Sequence, residues 1–245
     1  MTSPERIEYG SHELQYGLLH RAAGVARGTL VLIHGGFWRW NADYMNGPAG
    51  LAGALAERGW DVWRPEYRSV GFDGGWPATL DDVAAAIDHL ADPDLGLATG
   101  PLVALGHSAG GHLAVWATTR DTARVPVHAA ISLAGVLDLR RAESDDLGGG
   151  ATTGFLGGSS AEHPDRYAAA DPARRIVRDA RVRIVHPTGD DVVPVSQAHA
   201  YLDAARAAGQ DAELAVCDGD HGVVIEPGHA SFALTLAALD ELAGR

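Results

Sequence analysis

Residues 102–119 read LVALGHSAGGHLAVWATT, in which a strand-like run, a serine motif and a helix-like run follow one another. The apolar run 102–106 has the length and composition of a buried strand, and residues 109–119 are typical of a helix. Between them lies a G-x-S-x-G pattern, in which Ser108 is the central serine. On a sharp strand-to-helix turn the serine hydroxyl stands clear of the backbone, and glycine fits where the chain is crowded. The pattern therefore predicts that Ser108 is a nucleophile and that the Ala109 N–H, at the helix start, stabilises an oxyanion.

Strand-like and helix-like segments alternate on both sides of this motif. Apolar helical stripes begin near Pro48, Pro77, Val195 and Phe232, and further strands are predicted at 29–34, 61–65, 127–133, 182–186 and 212–217. This alternation predicts an α/β fold, a mostly parallel central sheet with helices on both faces, in a single domain over 1–245. The first 20 residues predict an antiparallel hairpin at the sheet edge. Residues 139–176, rich in Gly, Ala and Asp, predict a short cap insertion over the catalytic face.

Polar loops follow the predicted strands at their carboxyl ends, where open sheets bind ligands. The loop HGGFW, residues 34–38, follows the first buried strand. Its glycines leave the backbone accessible, so we expect the amides of Gly36 and Phe37 to complete the oxyanion hole.

The acid and the base of a catalytic triad are predicted from the later loops. Asp190 and Asp191 follow the strand 182–186, and His221 lies in a glycine-flanked loop after the last strand. Serine, then acid, then histidine is the chain order used by hydrolases with this motif. We therefore predict a triad of Ser108, Asp190 and His221, with Asp191 as the alternative acid and His229 as the alternative histidine.

The overall charge excludes several classes of partner. The chain of 245 residues carries 19 Lys and Arg against 32 Asp and Glu, which gives a formal net charge of −13. Such a field disfavours nucleic acid and anionic membrane surfaces as partners.

A single cysteine excludes an intrachain disulfide, and the N-terminus has no signal-peptide pattern, so we expect a cytoplasmic protein. Whether it forms a homodimer is left open.

No metal or other cofactor is predicted. The sequence contains no H-E-x-x-H motif and no cysteine pair, and its histidines are scattered without ligand spacing. A phosphate-binding G-x-x-x-x-G-K-[ST] motif is also missing, and the glycines at 148–158 follow no predicted strand. Acyl transfer through a serine needs only the nucleophile and base that the chain supplies.

With these residues located, nearly the whole chain resembles the α/β-hydrolase superfamily. Within it the chain resembles the esterase branch that includes hormone-sensitive-lipase-like carboxylesterases, feruloyl-esterase-like proteins and kynurenine formamidases. GHSAGGHLA is similar to the nucleophile motif of this branch, and HGGFW is similar to the HGG-x-W form of the formamidase group. The stretches PEYRSVGFDGGWPATLDDVAAAIDHL and FLGGSSAEHPDRYAAADPA resemble blocks found in these esterases. The resemblance assigns the acid to Asp190. The usual His-Gly before that acid is His186-Pro187 here, so we expect an altered loop that keeps the acid.

The leading functional prediction is a carboxylesterase for small or medium acyl or aryl esters, with an apolar pocket formed by Trp38, Trp40, Trp76 and Phe155. An arylformamidase acting on N-formyl-kynurenine is the main alternative, since HGGFW is similar to that group. A peptidase is less favoured, because related peptidases carry a large extra domain. A binding module without catalysis is the non-enzyme alternative.

Overall fold

The computed structural model describes residues 3–97 and 99–244. Their strands form a single sheet in the order β1-β2-β4-β3-β5-β6-β7-β8. The strands are β1 (Glu5–Glu8), β2 (Tyr16–His20), β3 (Thr29–Ile33), β4 (Asp61–Pro65), β5 (Leu102–His107), β6 (Ala129–Leu133), β7 (Arg181–Pro187) and β8 (Ala212–Cys217). β1 and β2 form an antiparallel hairpin, and β2 also pairs antiparallel with β4. From β4 to β8 every neighbouring pair is parallel.

Helices cover both faces of the sheet. They are α1 (Ala49–Glu57), α2 (Ala78–Asp88), α3 (Ala109–Ala117), α4 (Leu139–Ser144), α5 (Ala151–Leu156), α6 (Pro164–Ala170), α7 (Ser196–Ala208) and α8 (Ser231–Ala243). α1 and α8 contribute to one apolar core, and α2, α3 and α7 to the other. β3 shows why its run is apolar throughout: Leu30 and Leu32 enter the first core, while Val31 and Ile33 enter the second.

The predicted fold class is confirmed, as are the antiparallel hairpin and the parallel strands that follow it. For residues 139–176 the sequence predicts a cap insertion but no helices. In the structure these residues form α4, α5, α6 and a 3₁₀ turn between β6 and β7. That the chain forms a single domain stays a prediction. Among the described residues no helix is long and apolar enough to cross a bilayer.

Candidate active site

Ser108 lies on the sharp turn between β5 and α3. Its φ of 56° and ψ of −123° are sparsely populated for a residue with a side chain. The two glycines of the motif make this turn sterically feasible. A Cβ on Gly106 would lie 2.0 Å from the Gly110 carbonyl oxygen, and a Cβ on Gly110 would lie 2.1 Å from the carbonyl oxygen of Ile33. The G-x-S-x-G pattern thus reflects the close approach of β5, α3 and β3.

A histidine–carboxylate pair lies at the carboxyl ends of β7 and β8. His221 Nδ1 is 2.7 Å from Asp190 Oδ2. The other carboxylate oxygen, Oδ1, accepts hydrogen bonds from the Val192 and Val193 amides at 3.0 and 2.8 Å. The Asp190 side chain is fully buried, whereas Asp191 is exposed.

The surroundings of Asp190 favour its ionised form. Burial by itself raises the pKa of this carboxyl, but the hydrogen bond from His221 and the two backbone amides outweigh it and leave the pKa lowered. A carboxylate held in this way fixes the tautomer of the histidine and stabilises an imidazolium. His229, the alternative histidine, instead places its Nδ1 3.0 Å from Ser231 Oγ, at the start of α8.

The altered loop before Asp190 keeps the acid in place. β7 continues through Pro187, and the buried His186 ring donates from Nε2 to the Val193 carbonyl at 2.8 Å. The same ring nitrogen lies 3.5 Å from Asp190 Oδ2. Burial lowers the pKa of His186, so this ring acts as a neutral support for the loop.

Ser108 and His221 line the same cavity. No hydrogen bond joins Ser108 Oγ to the His221 ring among the described residues, a common feature of active sites without substrate. The loop carrying His221 is held by His107, whose Nε2 donates to the His221 carbonyl oxygen at 3.0 Å. The two rings lie 4.6 Å apart. Sequence reasoning missed His107, because it occupies a variable position of the motif.

Three backbone amides lie on the two segments that flank Ser108, the start of α3 and the loop 34–38. Ala109 is the first residue of α3, where N–H groups have no partner within the helix. On the other side, Gly36 and Phe37 have φ values of 111° and 51°, and their amides donate no hydrogen bond to any described residue. These are the three amides that the sequence predicts for an oxyanion hole.

The loop 34–38 rests on a buried polar network. His34 Nε2 lies 2.9 Å from Glu66 Oε1, and the same oxygen accepts from the Tyr67 amide at 2.8 Å. The Tyr67 hydroxyl donates to the His34 carbonyl at 2.9 Å, and the two rings stack 4.4 Å apart. Sequence analysis quoted Glu66 and Tyr67 only as part of a resemblance and predicted no role for them.

The cavity at Ser108 has a volume of about 320 Å³ and a mainly apolar lining. Among the described residues its lining includes no lysine or arginine, and its ionisable members are one carboxyl, two imidazoles and one phenol. The lining residues are Gly35, Gly36, Phe37, Asp43, Tyr44, Gly47, Pro48, His107, Ser108, Val192, His221 and Ile225. Phe37 had been predicted only for its amide. No sequence pattern predicts Tyr44, Val192 and Ile225, because they lie in short 3₁₀ turns and in a loop that have no periodic pattern.

The four aromatic residues predicted for a substrate pocket do not line the cavity at Ser108. Trp38 and Phe155 are buried in the core, where their rings stack 4.7 Å apart. Trp40 packs against Phe72, and Trp76 lines a separate groove beside α2. Trp38 is held in the core because its Nε1 donates to His112 Nδ1 at 3.1 Å, and its backbone has a φ of 55°.

The predicted cap does not roof this cavity. No residue from 139–176 belongs to its lining. The segment instead packs beside α3 and beside residues 34–39, which are the predicted oxyanion loop. Phe155 stacks on Trp38, and the Ala170 carbonyl lies 2.9 Å from His112 Nε2. Among the described residues there is also no group of three His, Cys, Asp or Glu side chains that could hold a metal ion.

A serine on a strand-to-helix turn, next to a hydrogen-bonded histidine and aspartate at the carboxyl ends of a mostly parallel sheet, defines an α/β-hydrolase. The comparisons refine this class. The BD-FAE family model, which describes α/β-hydrolase esterases, matches residues 19–204, and the chain belongs to this family.

Three relatives illustrate the similarity. Esterase LipC of Mycobacterium tuberculosis is 29% identical over 196 residues, which cover 73% of this chain but only 48% of LipC. A truncated carbohydrate esterase from gut microbiota aligns with a TM-score of 0.86 at 22% identity, over 100% of this chain and 97% of that one. Esterase 2 of Thermogutta terrifontis, phosphonylated by sarin, aligns with a TM-score of 0.76 at 23% identity, over 97% and 93% of the two chains. At these identities the two structures show the shared fold.

Proposed function

We propose that this protein is a serine esterase that cleaves carboxylic esters with small or medium acyl or aryl groups through an acyl-enzyme on Ser108. The observation that carries the proposal is the 2.7 Å contact between His221 and the buried Asp190, on the cavity that also contains Ser108. Membership of a family of esterases supports the same activity.

In the proposed reaction, His221 Nε2 takes the hydroxyl proton as Ser108 Oγ attacks the ester carbonyl. The amides of Ala109, Gly36 and Phe37 stabilise the negative charge on the former carbonyl oxygen. The tetrahedral intermediate collapses when the C–O bond breaks and the imidazolium returns the proton to the leaving alcohol. Water, deprotonated by His221, then attacks the acyl-enzyme and releases the acid and the free serine.

The cavity lining favours a neutral substrate. N-formyl-kynurenine carries an α-carboxylate, and binding sites usually hold such a group with arginine or another cation. The lining contains no arginine or lysine but does contain Asp43. Together with the mainly apolar walls, this supports ester hydrolysis over hydrolysis of an amino-acid formamide.

The test compares kcat/KM for p-nitrophenyl acetate, butyrate and octanoate with that for N-formyl-kynurenine. We expect the short or medium esters to be the best substrates. A much higher kcat/KM for N-formyl-kynurenine would show that the protein is an arylformamidase. If none of these compounds is hydrolysed and a fluorophosphonate probe fails to label the folded protein, it is a binding module. The cytoplasmic location stays a prediction, and whether the protein forms a homodimer stays open.

A further inference from the structure

The glycine run Gly148–Gly149–Gly150, between α4 and α5, has no part in the proposed triad or oxyanion hole. Its three φ values are 62°, 57° and 70°, all in the left-handed region. Asp146, with a φ of 49°, stabilises this turn, since its carbonyl accepts from the Gly149 amide and its carboxylate from the Gly150 amide. The chain thus forms a turn with left-handed backbone angles beside the oxyanion loop.

Two carbonyl groups of this turn bind a single arginine of the oxyanion loop. Arg39 Nη1 donates to the Gly148 carbonyl and Nη2 donates to the Gly149 carbonyl, each at 2.7 Å. The Arg39 amide in turn donates to the Gly36 carbonyl at 3.0 Å. The guanidinium therefore connects the turn to the part of the loop that carries the Gly36 and Phe37 amides.

A second contact joins the same two segments. A Cβ on Gly148 would lie 2.9 Å from atoms of the Phe37 ring, so this ring rests directly on the glycine. Phe37 also lines the cavity at Ser108. The position of Gly148 therefore limits where the Phe37 ring can lie.

The oxyanion loop needs contacts with other segments to hold its backbone. Phe37 and Trp38 both have positive φ, at 51° and 55°, which is unfavourable for residues with side chains and persists only where the surroundings enforce it. The Trp38 ring is fixed by its stack on Phe155 of α5. The Phe37 side of the loop is held by Arg39 and Gly148.

We infer that Arg39 and Gly148 are positioning residues through which the segment 139–176 holds the Phe37 amide in the oxyanion hole and the Phe37 ring in the pocket wall. This inference rests on the proposed function, because it assigns the segment a role in the same reaction. The segment acts as a brace for the oxyanion loop and not as a roof over the substrate.

The first test compares Arg39→Met and Arg39→Lys with wild type on p-nitrophenyl butyrate. Arg39→Met keeps the aliphatic stem and removes both hydrogen bonds, and we expect kcat to fall about 10- to 100-fold while KM changes less, because a small displacement of a catalytic group affects mainly the transition state. Arg39→Lys keeps the charge but not the planar fork, so we expect an intermediate kcat. Arg141→Met, at an exposed arginine of α4 that pairs with Asp145, is the control and should match wild type.

A glycine pair gives a second, independent test. Gly148→Ala and Gly149→Ala introduce the same side chain at nearly the same positive φ, but a Cβ on Gly149 has no atom within 4 Å. The difference between the two variants therefore isolates the contact with Phe37. We expect Gly148→Ala to reduce kcat/KM about tenfold more than Gly149→Ala at a similar Tm, since its methyl group displaces the pocket wall.

The outcomes separate the inference from the proposed function. Wild-type protein without esterase turnover contradicts the proposed function. An active wild type, with Arg39→Met equal to Arg141→Met and Gly148→Ala equal to Gly149→Ala, overturns the inference alone. If Arg39→Met does not fold, Arg39→Lys and the glycine pair decide the question.

Discussion

At the scale of single residues, neighbouring side chains of the same type have very different surroundings. Asp190 is buried and accepts hydrogen bonds from His221 and two backbone amides, while Asp191, the next residue, is exposed. The residues alone leave Asp191 as an alternative acid, because two adjacent carboxylates after a strand cannot be distinguished without their contacts. Asp191 is therefore a matched control for substitutions of Asp190.

We expect Asp190→Asn to lower kcat for p-nitrophenyl butyrate by about 10³- to 10⁴-fold, because an amide cannot hold His221 in the required tautomer or stabilise its imidazolium. Asp191→Asn removes a charge of the same type from the exposed neighbour and should change kcat less than about twofold. Steady-state kinetics with both variants measures this difference. Equal losses in the two variants would contradict the assignment of Asp190.

His112 provides a prediction about pH and stability. Its ring is fully buried and accepts a hydrogen bond from Trp38 at Nδ1, and burial lowers its pKa from 6.5 to about 4. The unfolded chain therefore binds a proton between pH 6.5 and 4 that the folded chain does not bind. The neutral His112 ring therefore contributes its full share to the free energy of unfolding above pH 6.5. This contribution is lost as the pH falls towards 4, by at most about 3 kcal/mol.

The free energy of unfolding of wild type and His112→Gln, measured by urea titration at pH 7 and pH 5, tests this prediction. We expect the loss between the two values to be smaller in His112→Gln, because glutamine has no proton to bind. An identical loss in both proteins would show that His112 is not held neutral by the fold.

At the scale of secondary-structure elements, the sequence predicts the strands better than the segment 139–176. β4 and β8 have the predicted bounds, because short apolar runs between turn residues leave few alternatives. α4, α5 and α6 have only six or seven residues each, too few for a clear helical period. Their packing depends on distant partners such as Trp38 and His112, which local patterns do not reveal.

The space around glycines differs between a central strand and an exposed helix. A Cβ at Gly106 would meet the backbone of α3, whereas a Cβ at the exposed Gly154 in α5 has nothing within 4 Å. We expect Gly106→Ala to lower the free energy of unfolding by at least about 2 kcal/mol. Gly154→Ala should raise it by up to about 1 kcal/mol, because alanine favours a helix. Thermal and urea denaturation of both variants measure these changes, and a neutral Gly106→Ala would contradict the close packing of β5 against α3.

At the scale of the whole molecule, the sheet order explains why residues so distant in sequence form one site. Ser108, Asp190 and His221 follow β5, β7 and β8, whose carboxyl ends lie along the same edge of the sheet. Strand ends could therefore be used to predict the triad from the sequence. The pocket could not be predicted in this way, because Tyr44 and Ile225 reach it from short 3₁₀ turns, and because the Trp38 indole is bound to His112 in the core.

The net charge of −13 leads to a prediction about substrate charge. Negative esters should be repelled by the overall field and by Asp43 in the cavity. We expect kcat/KM for p-nitrophenyl hemisuccinate to be about tenfold or more below that for the butyrate ester at low ionic strength. Added salt should narrow the difference, since it screens the field, and so should Asp43→Asn. A ratio independent of salt would exclude an electrostatic origin.

Every step of the proposed reaction depends on Ser108 as the nucleophile. The most direct measurement is kcat/KM of wild type and Ser108→Ala for p-nitrophenyl butyrate, with circular dichroism to verify that both proteins are folded. We predict that Ser108→Ala loses several powers of ten in kcat/KM, because without the hydroxyl no acyl-enzyme can form. Equal turnover by the two folded proteins would contradict the claim.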